Sequence, residues 1–359
     1  MLSQLLSHTA RSSPMAPSRL VRSRAIYGAG EVLTPQVVMP VDRETAAPLA
    51  TVTFPIDIPK DPPIFGAPLQ MAVTELVEEW TQRAILERQQ VEIARSCLVY
   101  GAPGTGKTRL ALWMCHQLGL PAITARLDGL VSSFLGTTSR NIGALFAFAS
   151  RYQCVLLLDE FDAIAKVRDD PQEVGEIKRV VNTLLQNLDE RRNVGFTIGI
   201  TNHEMLLDSA VWRRFDTQLQ VPRPDFDARL AVVRRYVLPL VLDDIEVRFI
   251  AWITEGASGA DIETLVNSIK KAMILNSDGK PEPEIIPIVQ RILIQQSRRF
   301  GSERTAALQL DAAALSKQLL QVRDLAYSQS DLATLFRRNK ATVSRWVNED
   351  APSGVRAAH

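Results

Sequence analysis

The sequence predicts an α/β fold: a parallel sheet with helices on both faces, then a helical lid and an all-helical C-terminal module. Three observations predict it. Short apolar runs at 97–100, 122–125, 155–158, 196–201 and 218–221 alternate with segments of helical periodicity, the pattern of buried parallel strands joined by crossover helices. A glycine-rich loop separates the first of those runs from the helical run Leu110-Ala111-Leu112-Trp113-Met114. From Asp225 onward, helical patterning replaces strands,.

With 359 residues, the chain is long enough for roughly two to three domains and a sizeable core. A net charge of +1 gives it no electrostatic label as a whole. Cys97, Cys115 and Cys154 lie in apolar runs without metal-ligand spacing, so they read as buried thiols in a reducing compartment. No apolar run approaches the ~20 residues of a membrane span, and a soluble chain without a membrane partner is expected.

Residues 1–68 are expected to be an N-terminal extension, largely disordered or extended. The first thirty residues hold Arg11, Arg19, Arg22, Arg24 and several serines but no acid, the composition of an organellar transit peptide. Two plainer readings are preferred: a loose tail, or a start placed too early, with Met39 opening the chain. The proline-rich stretch 54–68 should lack regular structure. Between 69 and 95, Met71, Leu76, Trp80, Ile85 and Val91 recur at helical spacing. The α/β domain is assigned to 69–222 and the lid to 223–276, with Ser258-Gly259-Ala260-Asp261 as a capping box at its last helix. Residues 277–283 form a linker; 277–350 make the C-terminal module and 351–359 a tail.

The glycine loop reads Gly101-Ala102-Pro103-Gly104-Thr105-Gly106-Lys107-Thr108. Strand, glycine loop and helix in that order are the context of a P-loop, whose backbone N–H groups and helix dipole face an anion. A surface turn would explain the glycines but not this order. Lys107 would reach the β- and γ-phosphates, and the Thr108 hydroxyl would ligate Mg²⁺. Downstream, Val155-Leu156-Leu157-Leu158 runs into Asp159-Glu160. Two carboxylates at the end of a buried strand are costly unless a metal or a reaction uses them. Asp159 fits a Mg²⁺-binding acid and Glu160 the base that polarises water. A solvated strand end is the plainer alternative, disfavoured by the loop about fifty residues earlier. The two motifs together point to hydrolysis of a nucleoside triphosphate.

With these residues in place, the chain resembles AAA+ ATPases of the classical clade over about 69–276. The resemblance implies the P-loop NTPase fold, ATP and Mg²⁺ as cofactors, and a homo-oligomeric ring, expected to be a hexamer. Ile198-Gly199-Ile200-Thr201-Asn202 resembles the strand ending in the sensor-1 residue, so Asn202 would orient water against the γ-phosphate. The segment 207–216 resembles the one carrying the arginine finger, with Arg214 aligned best and Arg213 second. A finger reaches the neighbouring subunit's nucleotide and stabilises transition-state charge. Gly256-Ala257-Ser258-Gly259-Ala260-Asp261 is similar to the lid signature, with Gly259 and Ala260 close to nucleotide and no sensor-2 arginine. Ser133-Phe134-Leu135-Gly136 resembles a pore loop that grips polypeptide, with Phe134, Leu135 and Gly136 as its contacts; Phe134 alone would also suit a core. The charged loop 168–176 suits a second pore-facing position, or merely a solvated one. The middle region is also similar to bacterial members paired with subtilisin-like serine peptidases, which implies such a partner and a cytoplasmic, bacterial-type setting.

The C-terminal helices carry a separate resemblance, to a helix-turn-helix. Ala333, Val343 and Trp346 occupy its packing positions; Lys340, Thr342, Ser344, Arg345 and Asn348 would face the major groove of duplex DNA, and Arg337 and Arg338 its phosphates. The turn normally carries glycine then an apolar residue, and here both are arginine. A docking or ring-assembly module is the alternative. Two functions follow: an ATP-driven ring remodeller of protein, or a DNA-associated ATPase of the loader, transposition or regulatory kind. A nucleotide-dependent structural switch is disfavoured, because Glu160, Asn202 and Arg214 supply hydrolytic parts.

Overall fold

The computed structural model describes residues 30–127, 135–163, 174–192, 194–276, 284–296, 300 and 302–348. Six strands form one sheet: β1 (Thr51–Thr53), β2 (Ser96–Tyr100), β3 (Ala122–Arg126), β4 (Val155–Asp159), β5 (Phe196–Thr201) and β6 (Thr217–Gln220), in the order β1-β3-β4-β5-β2-β6. All neighbours run parallel except β1, which lies antiparallel on β3. β4 explains why the inner strands read as continuous apolar runs. Val155 and Leu157 enter the core on one face of the sheet, Leu156 and Leu158 the core on the other, as the period-two geometry of a strand covered on both sides requires.

One face is covered by α1 (Ala67–Thr81) and α3 (Lys107–Leu118), which contribute Leu69, Val73, Leu76, Trp80, Leu110 and Met114. The short α2 (Arg83–Arg88) follows α1. On the other face lie α4 (Leu135–Arg151) and α5 (Val174–Arg191). The apolar stripe Val180, Val181, Leu184, Leu185 and Leu188 of α5 is buried. A short α6 (Ser209–Trp212) precedes β6. The connection leaving β2 runs to β3 on one side, whereas the connection leaving its neighbour β5 runs past β2 to β6 on the other. The carboxyl end of β2 is therefore a switch point, where ligands bind in open α/β sheets.

Two expectations need correction. Residues 30–68 are not a loose extension: β1 pairs with β3, and Leu33, Leu49, Ala50 and Ile58 are buried. A three-residue edge strand, partly exposed, carries too little pattern to be read. The helical spacing read over 69–95 holds only to Arg88, where α2 ends; Met71 is 63 % exposed, and Ile85 and Val91 are exposed too. The buried stripe is Leu69, Val73, Leu76 and Trp80.

The lid comprises α7 (Phe226–Val237), α8 (Asp244–Ile253) and α9 (Gly259–Asn276); α10 (Ile285–Gln295), α11 (Ser302–Ala307), α12 (Ala312–Gln321), α13 (Gln329–Leu335) and α14 (Lys340–Asn348) follow. Lid and C-terminal helices bury one continuous core that runs from Val232 to Val343. The Tyr327 hydroxyl donates to the Ile245 carbonyl at 2.5 Å, fixing the segment before α13 to α8.

Candidate functional site: a nucleotide cleft at the end of the sheet

The glycine loop leaves β2 in backbone conformations open to glycine. Gly101 has φ +142°, and a Cβ there would lie 2.3 Å from the Val221 carbonyl oxygen. Gly104 has φ +76°, and a Cβ would stand 2.6 Å from the Ser258 hydroxyl. The loop thus presses against Val221, the residue after β6, and against the lid. Thr105 donates its hydroxyl to the Ala102 carbonyl at 2.9 Å, closing the loop on itself. Lys107 is buried and donates from Nζ to the Gly101 and Ala102 carbonyls, both at 2.8 Å. Burial pushes its pKa down, opposed by the carboxylates of Asp159, Glu204 and Asp162.

The acids stand opposite. Thr108 donates its hydroxyl to Asp159 Oδ2 at 3.1 Å, and the Glu160 amide donates to Asp159 Oδ1 at 2.8 Å. A hydroxyl and a carboxylate side by side are the hard oxygen donors that Mg²⁺ selects, so these residues fit that ion. Glu160 adopts φ +54°, and its carboxylate accepts from Arg126 Nη2 at 3.1 Å. Asn202 follows β5; its amide donates to Asp162 Oδ1 at 3.4 Å, and Thr201 donates its hydroxyl to the same oxygen at 3.0 Å. The buried Asp162 thereby holds the end of β5, and Asn202, beside Asp159 and Glu160.

The lid closes the third side. Ser258 and Asp261 form the expected capping box: the Ser258 hydroxyl donates to Asp261 at 2.6 Å, and the Asp261 amide donates back at 3.2 Å. That box places Gly259 and Ala260 at the start of α9, where the Ala260 amide donates to the Gly104 carbonyl at 3.1 Å. The resulting cleft holds about 460 Å³. Polar groups of the glycine loop and the acids line part of it, and Ile64, Phe65, Val232 and Tyr236, with Phe65 near Gly106, give it an apolar base end, chemistry suited to a flat heterocyclic ring. Sequence reading missed these four, and Arg109, Arg235 and Glu263 with them. The one local signal was Ile64-Phe65, an apolar pair between prolines and a glycine.

Residues 97–223 match the profile of the AAA family, the ATPase family associated with various cellular activities. An uncharacterized AAA family ATPase, y4kL, of Sinorhizobium fredii is 36% identical over 237 residues, covering 65% of this chain and 70% of that protein. The chain belongs to the AAA family of ATPases. It binds nucleotide and hydrolyses ATP. A proteasome-activating nucleotidase of Pyrococcus abyssi is 35% identical over 190 residues, which is 50% of this chain and 48% of that one. This AAA ATPase therefore spans about half the length of such relatives. Among solved structures, the FIGL-1 AAA domain aligns with a TM-score of 0.55 at 20% identity, over 72% of this chain and 90% of that one. Its complex with ADP aligns at 0.53 and 21%, over 67% and 80%. At that identity the likeness shows the fold alone.

Other residues selected from sequence lie away from the cleft of this AAA ATPase. Arg213 is exposed, and Arg214 Nε lies 3.0 Å from Asp189 Oδ2; neither lines the cleft. Phe134 and most of the loop 168–176 lie outside the described residues, while Leu135 and Gly136 open α4. In the C-terminal pair, Arg337 takes the left-handed φ of +48° where a helix-turn-helix places glycine. Phe336 and Trp346 stack edge to face at 5.7 Å, and Val343 is buried. Lys340 and Arg345 are exposed. Thr342 donates its hydroxyl to Asn339 at 2.7 Å, and Ser344 accepts from Asn348 at 3.2 Å, so both hydroxyls serve α14 itself. Arg338 pairs with Glu284 at 3.0 Å. No helix among the described residues is long and apolar enough to cross a membrane.

Proposed function

We propose that the chain is a subunit of an ATP-driven ring that remodels or threads a polypeptide. Lys107 holds the β- and γ-phosphates, Thr108 and Asp159 hold Mg²⁺, Glu160 takes a proton from the attacking water, and Asn202 orients that water. The metal, when bound, supplies positive charge against the phosphate oxygens. Arg214, with Arg213 beside it, reaches the neighbouring subunit's nucleotide; six copies would close the ring. Phe134, Leu135 and Gly136 contact the polypeptide, since an aromatic side chain grips without reading sequence.

The observation that carries this reading is the 35% identity over 190 residues to relatives named for activating a proteasome. By the same logic a peptidase, of the subtilisin-like serine class implied by the resemblance, is the proposed partner, in the cytoplasm. The test is the steady-state ATPase rate alone, with an unfolded polypeptide and with duplex DNA. Stimulation by polypeptide, absent in Phe134→Ala, is expected. Glu160→Gln should bind ATP yet turn over about 10² to 10⁴ times more slowly.

A second reading, recruitment to DNA through α13 and α14, is favoured by the left-handed turn at Arg337 and the exposed Lys340 and Arg345. It expects salt-dependent duplex binding whose salt slope falls by about one when Arg345 is neutralised. Point variants are the proper test, because deleting α12 to α14 would strip the lid of part of its core.

A further inference from the structure

The lid is tied to the glycine-loop side of the cleft at both ends. At the phosphate end the tie is the backbone bond from Ala260 to Gly104. At the base end it is a side-chain bond: Arg109 Nη1 donates to the Tyr236 hydroxyl at 3.0 Å. Arg109 follows Thr108 in the first turn of α3, and Tyr236 stands in the last turn of α7. Both line the cleft.

Arg109 carries a second signal. Its Nε is shut off from solvent and has no hydrogen-bond partner among the described residues. A buried guanidinium donor without an acceptor is destabilising. The protein around Arg109 thus satisfies the outer edge of its fork and leaves the inner edge unsatisfied, at the wall of a cleft that takes a nucleotide. The ribose and the heterocyclic base both offer acceptor atoms at that end. Arg235, one residue before Tyr236 on α7, brings a further guanidinium to the same wall. A leucine at position 109 would pack there but would tie nothing to the lid.

We propose that Arg109 and Tyr236 form a latch that holds the lid over the base end of bound nucleotide and thereby sets the rate of ADP release. The inference rests on nucleotide occupancy of the cleft. Arg109 acts at two points in this scheme: Nη1 holds the lid through Tyr236, and Nε donates to an acceptor oxygen or nitrogen of the nucleoside. With both bonds made, the lid cannot swing away until Tyr236 lets go, and lid opening is a common limit on turnover.

Release of mant-ADP, followed by stopped-flow after displacement with excess ATP, tests the latch. Tyr236→Phe removes one hydroxyl, and Arg109→Lys keeps the charge but loses the planar fork. Each should speed release about tenfold, the effect of losing one charge-assisted bond. The double variant should release no faster than the faster single one, since both break the same bond. Thermal stability without nucleotide should fall only as far as loss of one hydrogen bond requires and by less than with ADP bound; an equal loss in both would mark a merely structural tie. Unchanged release rates, or effects that multiply in the double variant, would overturn the latch. Failure of the parent to bind mant-ADP would overturn the nucleotide cleft and the latch together.

Discussion

Arg126, at the end of β3, donates a hydrogen bond to the Glu160 carboxylate at 3.1 Å across the β3–β4 pair, where Arg126 is the register partner of Asp159. The proposed base is therefore drawn toward a neighbouring strand. A carboxylate directed at a guanidinium is not directed at water, and Glu160 must release Arg126 to act. The pair is partly exposed, 65% for Arg126 and 37% for Glu160, so its net strength is about 0–1 kcal/mol. Arg126→Ala should accordingly raise basal ATPase kcat by at most about fivefold, with little change in KM. A fall in kcat would mean that Arg126 orients Glu160 for the reaction.

Arg214 presents the same problem at the far side of the domain. Its Nε lies 3.0 Å from Asp189 Oδ2 on α5, an intramolecular contact a trans-acting finger must leave. Arg214→Ala should lower kcat by about 10³ or more, as loss of a finger does, while ATP binding stays near the parent's. Asp189→Ala should leave hydrolysis intact or increase it, because it frees Arg214. Mixed rings decide the direction of action: the defect should appear at the pocket of the neighbour. A defect confined to the variant's own pocket would rule out a finger.

The parts of the site legible in sequence are those whose residues are contiguous. Gly101 to Thr108 and Asp159-Glu160 each sit on one strand end, so spacing alone specifies their chemistry. Asn202 depended on a resemblance, because an asparagine after a strand has no chemistry until Asp162 is beside it. At the base end only Ile64-Phe65 left a local signal: Tyr236 and Glu263 join Phe65 from two other segments, and neither belongs to a local pattern. The buried face of α1 was not read from the sequence either. Helical spacing admits more than one face, and only packing on α3 selects Leu69 and Val73 over Met71. Arg337 stands where the motif that this segment resembles carries glycine, and its left-handed φ of +48° is a backbone feature that residue type did not announce.

Asp42 gives the structured N-terminal segment a pH signature. Its carboxylate accepts from the Thr45 and Glu44 amides, both at 2.8 Å, and from Asn141 on α4 at 2.5 Å. The Thr45 amide foremost, then the Asn141 side chain and the Glu44 amide, lower its pKa to about 2. An unfolded aspartate titrates near ~3.9. The folded value is depressed, so the stabilisation is complete above about pH 4 and is lost as pH falls toward about 2. Asp42→Asn should lower Tm at pH 7 and pH 5, and the gap to the parent should shrink by pH 3. A gap that stays constant across these pH values would mean that Asp42 acts through geometry and not charge.

The shared core of lid and C-terminal helices makes a final prediction about cooperativity. Leu332 on α13 is fully buried in the same cluster as Ile250 and Ile253 of α8. If α10 to α14 folded as an independent module, Leu332→Ala would lower the stability of that module alone and leave nucleotide affinity untouched. With one continuous core, the cost of about 2–5 kcal/mol for such a cavity falls on the lid as well. The lid supplies Val232, Tyr236, Gly259 and Ala260 to the cleft. Leu332→Ala should therefore show one thermal transition for lid and C-terminal helices, shifted down, and weaker ADP binding at temperatures approaching it. Two separated transitions, with ADP affinity unchanged through the first, would show that the C-terminal helices melt without disturbing the site.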